Sequence, residues 1–163
     1  VVMAAVAAGV PVLGGNLPRS QMRAAMADAA WDGHLPAAAL SRQYAALREG
    51  HCGLLPESQI GPMARIQIAR DAAMAQTARE AMRPGQAVLL VAGSGHVLRS
   101  IGVPTHWSAN IKSKVVVAQA GKAQTATTLI AKDAEAVVGT PALPRRDAGA
   151  ELRQQWQRPA AAR

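Results

Sequence analysis

Hydrophobic and polar positions alternate between two periods along this chain. Val10-Pro-Val-Leu13, β-branched and short, Ala87-Val-Leu-Leu-Val-Ala92, and Lys114-Val-Val-Val-Ala118 are mainly apolar runs, and the first two end at two glycines. Runs of this kind read as buried strands opening their carboxyl ends onto a site. Between them, apolar residues recur at helical spacing. Pro18 introduces a helix over residues 19–30 with Met22, Met26 and Ala29 on one core face. A second helix covers residues 37–49, with Gly50 as its C-terminal cap and Tyr44 inside it. A long helix follows over residues 57–83, its first turn set near Gly61 by Pro62, and Pro84-Gly85 ends it.

Strand and helix therefore alternate, which predicts an α/β fold: a layered sheet with parallel strands flanked by helices. Residues 1–139 form the expected domain, and residues 140–163, rich in Pro, Arg and Ala with no apolar period, read as a disordered or loosely attached tail. The opening run Val1 to Val10 reads as the end of a helix closing at Gly9; it is too short to span a bilayer and lacks a basic flank. A domain does not normally begin there, so the fold is expected to be incomplete at its amino terminus.

At 163 residues and 50% hydrophobic, the chain can bury one ordinary core. The formal charge of +8 suits an anionic partner, but scattered Arg residues and a tail cluster diluted by Asp147 and Glu151 do not form a nucleic-acid footprint. With three Trp, one Tyr and no Phe, the stacking platforms a single-strand binder needs are missing. An anionic small ligand fits the charge better. The single cysteine excludes an internal disulfide.

Candidate chemistry lies between His51 and Trp107. Gln67, Arg70, Asp71 and Met74 stand at i, i+3, i+4 and i+7 of the long helix and share one face. The stripe Ile60, Ala64, Ile68, Ala72, Ala75 and Met82 is its conventional core side. The Gln67 face is either solvated or turned toward a polar cavity, and Met63 and Met74 bracketing it favour the cavity. The loop Gly93-Ser-Gly-His96 lacks the outer glycines of a nucleophile elbow, the third glycine of a dinucleotide fingerprint and the Gly-Lys of a P-loop. What remains is a turn that lets backbone approach closely and presents an imidazole at a strand end. His51-Cys52 offers an imidazole and a thiol, but sequence neighbours point apart. His51, Cys52, Asp71, His96 and His106 follow no recognised zinc spacing, so a divalent metal is the weaker reading, with His96 its first candidate ligand.

Taken together, Val12-Leu-Gly-Gly-Asn16-Leu-Pro-Arg19, His51-Cys-Gly through Pro56, Gln67-x-x-Arg-Asp-x-x-Met-Ala75, Gly93-Ser-Gly-His96 and Gly102-Val-Pro104 resemble the ChaN-like haem-binding family of the Tiki superfamily. The resemblance covers about residues 1–120. It implies an α/β domain, often exported or lipid-anchored in bacteria, that binds haem and is associated with iron acquisition. On that reading the pocket draws on His96, His51, Gln67, Arg70, Asp71 and Asn16, with Tyr44 as the one phenol available to iron and Arg19 or Arg70 facing propionates. A homo-oligomer is compatible. The family's amino-terminal half carries a strand followed by a Gly-Glu-x-His type motif, which has no counterpart here, so this chain holds one side of the site. The alternatives are a metal-dependent hydrolase of the Tiki type, with an activated water as nucleophile, and a nucleic-acid-binding accessory protein resting on charge alone.

Overall fold

The structure, a computed structural model, describes residues 2–121, 132–142 and 150. Its organising element is α4, Glu57–Ala81, and the other helices and turns assemble around it. Ile60, Ala64, Ile68 and Ala75 of the expected core stripe are buried, Ala72 is half-buried and Met82 is exposed. Ile66, Ala69, Asp71, Met74 and Ala78 are buried as well, so α4 is covered on more than one side. That is why its apolar pattern is broader than a single amphipathic stripe.

Three apolar clusters line this helix in turn. Leu47 of α3 (Ala37–Gly50) packs with Ile60 and Ala64, beside Tyr44, Leu55 and Met63. Leu35 and Ala39 meet Ile68 and Ile101 in the middle. Met74 and Ala75 pack with Val103 at the far end, covered by Leu90, Ala92 and Trp107. Ile68 and Val103 are each 1% exposed, and full burial of such a side chain contributes about 1.5 to 3 kcal/mol.

The helix start differs from expectation. Residues 57–60 are already helical, and Pro62 sits inside the element. It is the sixth residue, past the free amides of the first turn, so the bond its N–H would donate to Ser58 O is missing, and Ser58 is exposed, which leaves that carbonyl to water. The connection from α3 is held by Arg48, which donates from Nε and Nη2 to the two Glu57 oxygens at 2.8 and 2.7 Å. Gly50 is the last residue of α3 rather than a left-handed cap; the left-handed backbone falls at Cys52 (φ 55°) and Gly53 (φ 66°).

The helix expected over residues 19–30 is broken into a 3-10 turn Arg19–Gln21, α2 Met22–Ala27 and a 3-10 turn Ala29–Gly33. Asp28 breaks it: its backbone is extended and its carboxylate accepts from Ala30 N at 2.9 Å, a local cap that competes with helix continuation. Ala25 is buried, Met22 and Met26 are half-buried, and Ala29 is exposed. At the amino terminus α1, Val2–Ala7, ends as expected at Gly9, whose φ is 67°.

A parallel sheet is present, though between other partners than expected. β1 (Val116–Ala120) begins two residues after the expected start and pairs in parallel with β2 (Ala136–Thr140), Val116 opposite Ala136. β2 has no counterpart among the expected strands, and it runs through Thr140, across the expected domain boundary. The rest of the expected tail, 143–149 and 151–163, lies outside the described residues. Residues 10–13 and 87–92 are neither helix nor strand, and apart from Val10, whose N–H bonds back to Ala5 of α1, none makes a backbone hydrogen bond among the described residues. A buried strand needs a neighbour to satisfy its backbone, and among the described residues these runs have none. A short helix, α5 (Ser94–Val97), and a 3-10 turn, Val103–His106, follow the second run.

Candidate functional site: a histidine anchored by a buried carboxylate

Asp71 lies midway along α4 and is 2% exposed. Burial pushes its carboxyl above the usual aspartate range, with the His96 hydrogen bond and then Arg70 pulling the other way. Its partner arrives through the second of the unpaired apolar runs. Leu90 and Ala92 pack on the Met74, Ala75 and Val103 cluster, which carries the chain to Gly93, and one turn later His96 Nδ1 stands 2.5 Å from Asp71 Oδ1.

The turn behind the imidazole depends on a glycine. A Cβ on Gly102 would fall 2.2 Å from the His96 carbonyl oxygen and 3.0 Å from that of Gly95, so Gly102 lets the backbone close against α5. Gly102 N also donates to Leu98 O at 2.8 Å. The Gly-Val-Pro string thus has a physical role: glycine for close approach, then Val103 as the buried plug against Met74 and Ala75.

With Asp71 ionised, its oxygen can only accept, so Nδ1 carries the ring proton and Nε2 keeps its lone pair. Among the described residues Nε2 makes no hydrogen bond, and it is not among the buried atoms left without a partner. A carboxylate behind one imidazole nitrogen and an open second nitrogen is the arrangement that orients metal-bound histidines and raises their basicity.

Beside this pair, Arg70 Nε donates to Asn16 Oδ1 at 2.9 Å and Arg70 Nη1 to Gln67 Oε1 at 3.3 Å. Gly15 approaches α4 closely, a Cβ there lying 3.7 Å from the Met74 Cα, which explains how the first glycine turn brings Asn16 over the helix. Asn16, Gln67, Arg70, Asp71 and His96 are therefore gathered. The other expected residues lie elsewhere. His51 caps its own helix, Nδ1 against Leu47 O at 2.8 Å. Tyr44 is half-buried at the Leu47, Ile60 and Ala64 cluster, and Ala64 precedes Asp71 by about 10 Å of helix rise. Arg19 is exposed and makes no side-chain hydrogen bond among the described residues.

Sequence reasoning passed over a stacked pair of imidazoles. His34 and His106 stack with centroids 3.9 Å apart and planes 9° apart. Thr105 Oγ1 donates to Gly102 O and faces His34 Nε2 at 3.1 Å, whereas His106 Nε2 is buried with no partner among the described residues. Burial lowers both rings' affinity for a proton, that of His106 to about 4, with His34 adding to the effect there. The wide separation of the two rings along the chain leaves no local sequence signal. Among the described residues no group of three or more His, Cys, Asp or Glu side chains could hold a metal ion.

An α/β chain in which an imidazole on a short helix after an unpaired apolar run is backed by a carboxylate of the long helix is the class of protein these observations define. The chain belongs to the family described as haem-binding uptake, Tiki superfamily, ChaN, whose model matches residues 1–107. Among solved structures it is similar to one described as "Cofacial heme binding to ChaN of Campylobacter jejuni", at 25% identity and a TM-score of 0.57. That match covers 78% of this chain and 50% of the other, so the chain spans about half the length of that relative. No curated protein matches.

Proposed function

We propose that this chain binds haem, with His96 Nε2 as the nitrogen donor to iron and Arg70 as a partner for a propionate. The observation that carries the reading is the Asp71 to His96 hydrogen bond of 2.5 Å, which fixes the imidazole with its outer nitrogen available. The residues present fit the group: a half-buried imidazole, a guanidinium held in place by Asn16 and Gln67, and apolar Leu90, Ala92 and Trp107 close to the turn. Bound haem supplies an iron centre with an axial position and two anionic propionates. The chain's own part is to hold Nε2 outward, keep the proton on Nδ1 and set a cation beside it. The family's description and the cofacial haem binding of the Campylobacter jejuni relative support the same ligand.

On this reading the protein serves haem or iron uptake at a bacterial envelope, as a periplasmic or lipid-anchored protein. No helix among the described residues is long and apolar enough to cross a membrane.

Hemin titration tests the proposal. A saturable Soret change is expected for the native chain, weakened by His96→Ala and unchanged by Tyr44→Phe, with circular dichroism confirming that each variant is folded. A band lost in Tyr44→Phe but kept in His96→Ala would move the ligand to the phenol, and no saturable change at micromolar hemin would reject the proposal.

A further inference from the structure

Residues 102–107 are fastened on three sides. Val103 is buried against Met74 and Ala75, and Trp107 Nε1 donates to Ala75 O at 3.2 Å, which ties both ends of the segment to α4. Gly102 abuts the His96 carbonyl with no room for a Cβ. On the third side His34 meets Thr105 and stacks on His106.

Thr105 joins the stack to the His96 turn. Its amide and its Oγ1 both donate to Gly102 O, at 2.9 and 2.8 Å. With its own proton engaged there, Oγ1 accepts from His34 Nε2, so neutral His34 carries its proton on that nitrogen. His106 follows Thr105 directly, and Gly102 is pressed against the backbone of His96. Close-packed contacts transmit displacement rather than absorb it. A shift of the stack therefore passes through Thr105 and Gly102 to the imidazole that Asp71 holds.

The stack accommodates neutral rings only. Protonating His106 places an N–H at Nε2, which is buried with no acceptor among the described residues, and sets a cation 3.9 Å over a second imidazole. The surroundings do not compensate. α4 and α5 pack against the Val103–His106 turn, and the Ala29–Gly33 turn leads into His34. Of the charged groups on those elements, Asp71 holds His96, Arg70 bonds to Asn16 and Gln67, Arg65 holds Asp32, and Glu57 holds Arg48, while Arg79 and Glu80 are exposed. Among the described residues none of these hydrogen-bonds to either ring, and the charge felt at His106 is that of His34.

We infer that the stacked His34 and His106 are an acid-sensitive latch on the His96 turn: protonation of His106 breaks the stack, releases the Val103–His106 turn and frees His96 from Asp71, so that haem is let go as the pH falls. Only that last step rests on the haem reading; the coupling of the stack to His96 holds without a ligand. Burial and His34 keep the proton affinity of the seated ring near 4, against the ordinary 6.5 of an unseated one. At pH 5 that difference favours the unseated turn roughly tenfold, once solvent at the half-buried ring is allowed for.

NMR of the imidazole N–H protons in the full chain tests the latch without haem. The Nδ1 proton of His96 lies far downfield because of its short bond to Asp71. In the native chain that signal should fade between about pH 7 and about pH 5. It should persist over the same range in His106→Phe, which keeps a ring on His34 but takes up no proton. Protonation of His96 itself leaves Nδ1–H in place, so its own titration does not mimic the effect. His106→Leu repeats the comparison without a ring, and circular dichroism at both pH values confirms that each chain is folded. Hemin titration at the same two pH values reads the consequence: affinity should fall at least about threefold more in the native chain than in either variant. A His96 signal that fades equally in native chain and variants, or that persists in all of them, would overturn the latch. Absence of hemin binding already at neutral pH would reject the haem reading alone, with the NMR comparison still deciding the latch.

Discussion

Lowering the pH should expose the cost of the stacked histidines. His106 prefers to be neutral in the folded chain, its proton affinity falling from the ordinary 6.5 to about 4. Above pH 6.5 neither the folded nor the unfolded ring is charged, and the residue contributes nothing to pH dependence. Between 6.5 and about 4 only the unfolded chain takes up the proton, so folding stability falls as the pH falls. Each pH unit in that window is worth about 1.4 kcal/mol, which gives roughly 3 kcal/mol across it and about 2 kcal/mol after allowing for solvent at the half-buried ring.

Other groups titrate with different timing. His34 is shifted in the same direction and adds to the slope. The carboxylates of Asp32, Glu57 and Glu135, held low by Arg65, Arg48 and the Val115 N–H respectively, lose their contributions only at lower pH. Asp71 is shifted upward, so its protonation offsets part of the loss. Comparison with His106→Phe isolates the residue, because phenylalanine keeps a ring over His34 and removes the orphaned nitrogen. Urea unfolding at about pH 7.5, 6.5, 5.5 and 4.5 should show the native chain losing about 2 kcal/mol more than the variant, with the variant the more stable at neutral pH by about 1 kcal/mol. Parallel losses, within about 0.5 kcal/mol, would refute the reasoning.

The site makes equally specific demands. Asp71→Ala leaves a buried ring N–H unpartnered and should destabilise by about 2 to 4 kcal/mol in urea, while Asp71→Asn retains an acceptor and should cost less than about 1 kcal/mol. Gly102→Ala forces a methyl group to within 2.2 Å of the His96 carbonyl oxygen, which should cost about 2 to 3 kcal/mol and weaken hemin binding by displacing the imidazole from Asp71. Cys52→Asn, at the left-handed turn where φ is 55°, should raise stability by about 0.5 to 1 kcal/mol in the same assay, since asparagine tolerates that backbone better.

What the sequence disclosed was whatever is local. Helical spacing put Gln67, Arg70 and Asp71 on one face, and bracketing methionines indicated a covered face; Asp71 and Met74 are both buried. Two glycines before His96 indicated a close backbone turn; a turn is there, but the glycine it depends on is Gly102, since a Cβ on Gly95 would meet nothing within 4 Å and one on Gly93 only His96 Cδ2 at 3.8 Å. What it hid is non-local. Pairing of β1 with β2 depends on a partner twenty residues away in register, and the two runs read as strands found no neighbour among the described residues. His51 was attractive as an imidazole beside a thiol, yet a helix end four residues back claims its ring nitrogen. Asp28 broke a helix that composition alone favoured, because a single carboxylate captured an amide two residues on.

Haem binding of the kind proposed requires His96 to donate Nε2 to iron while Asp71 holds Nδ1, and resonance Raman spectroscopy of the reduced hemin complex tests that most directly. The native chain should show an iron–imidazole stretching band that disappears in His96→Ala and moves to lower frequency in Asp71→Asn, as the ring loses the anion that strengthens it as a donor. A band that survives His96→Ala, or that is indifferent to the loss of the Asp71 charge, would contradict the assignment.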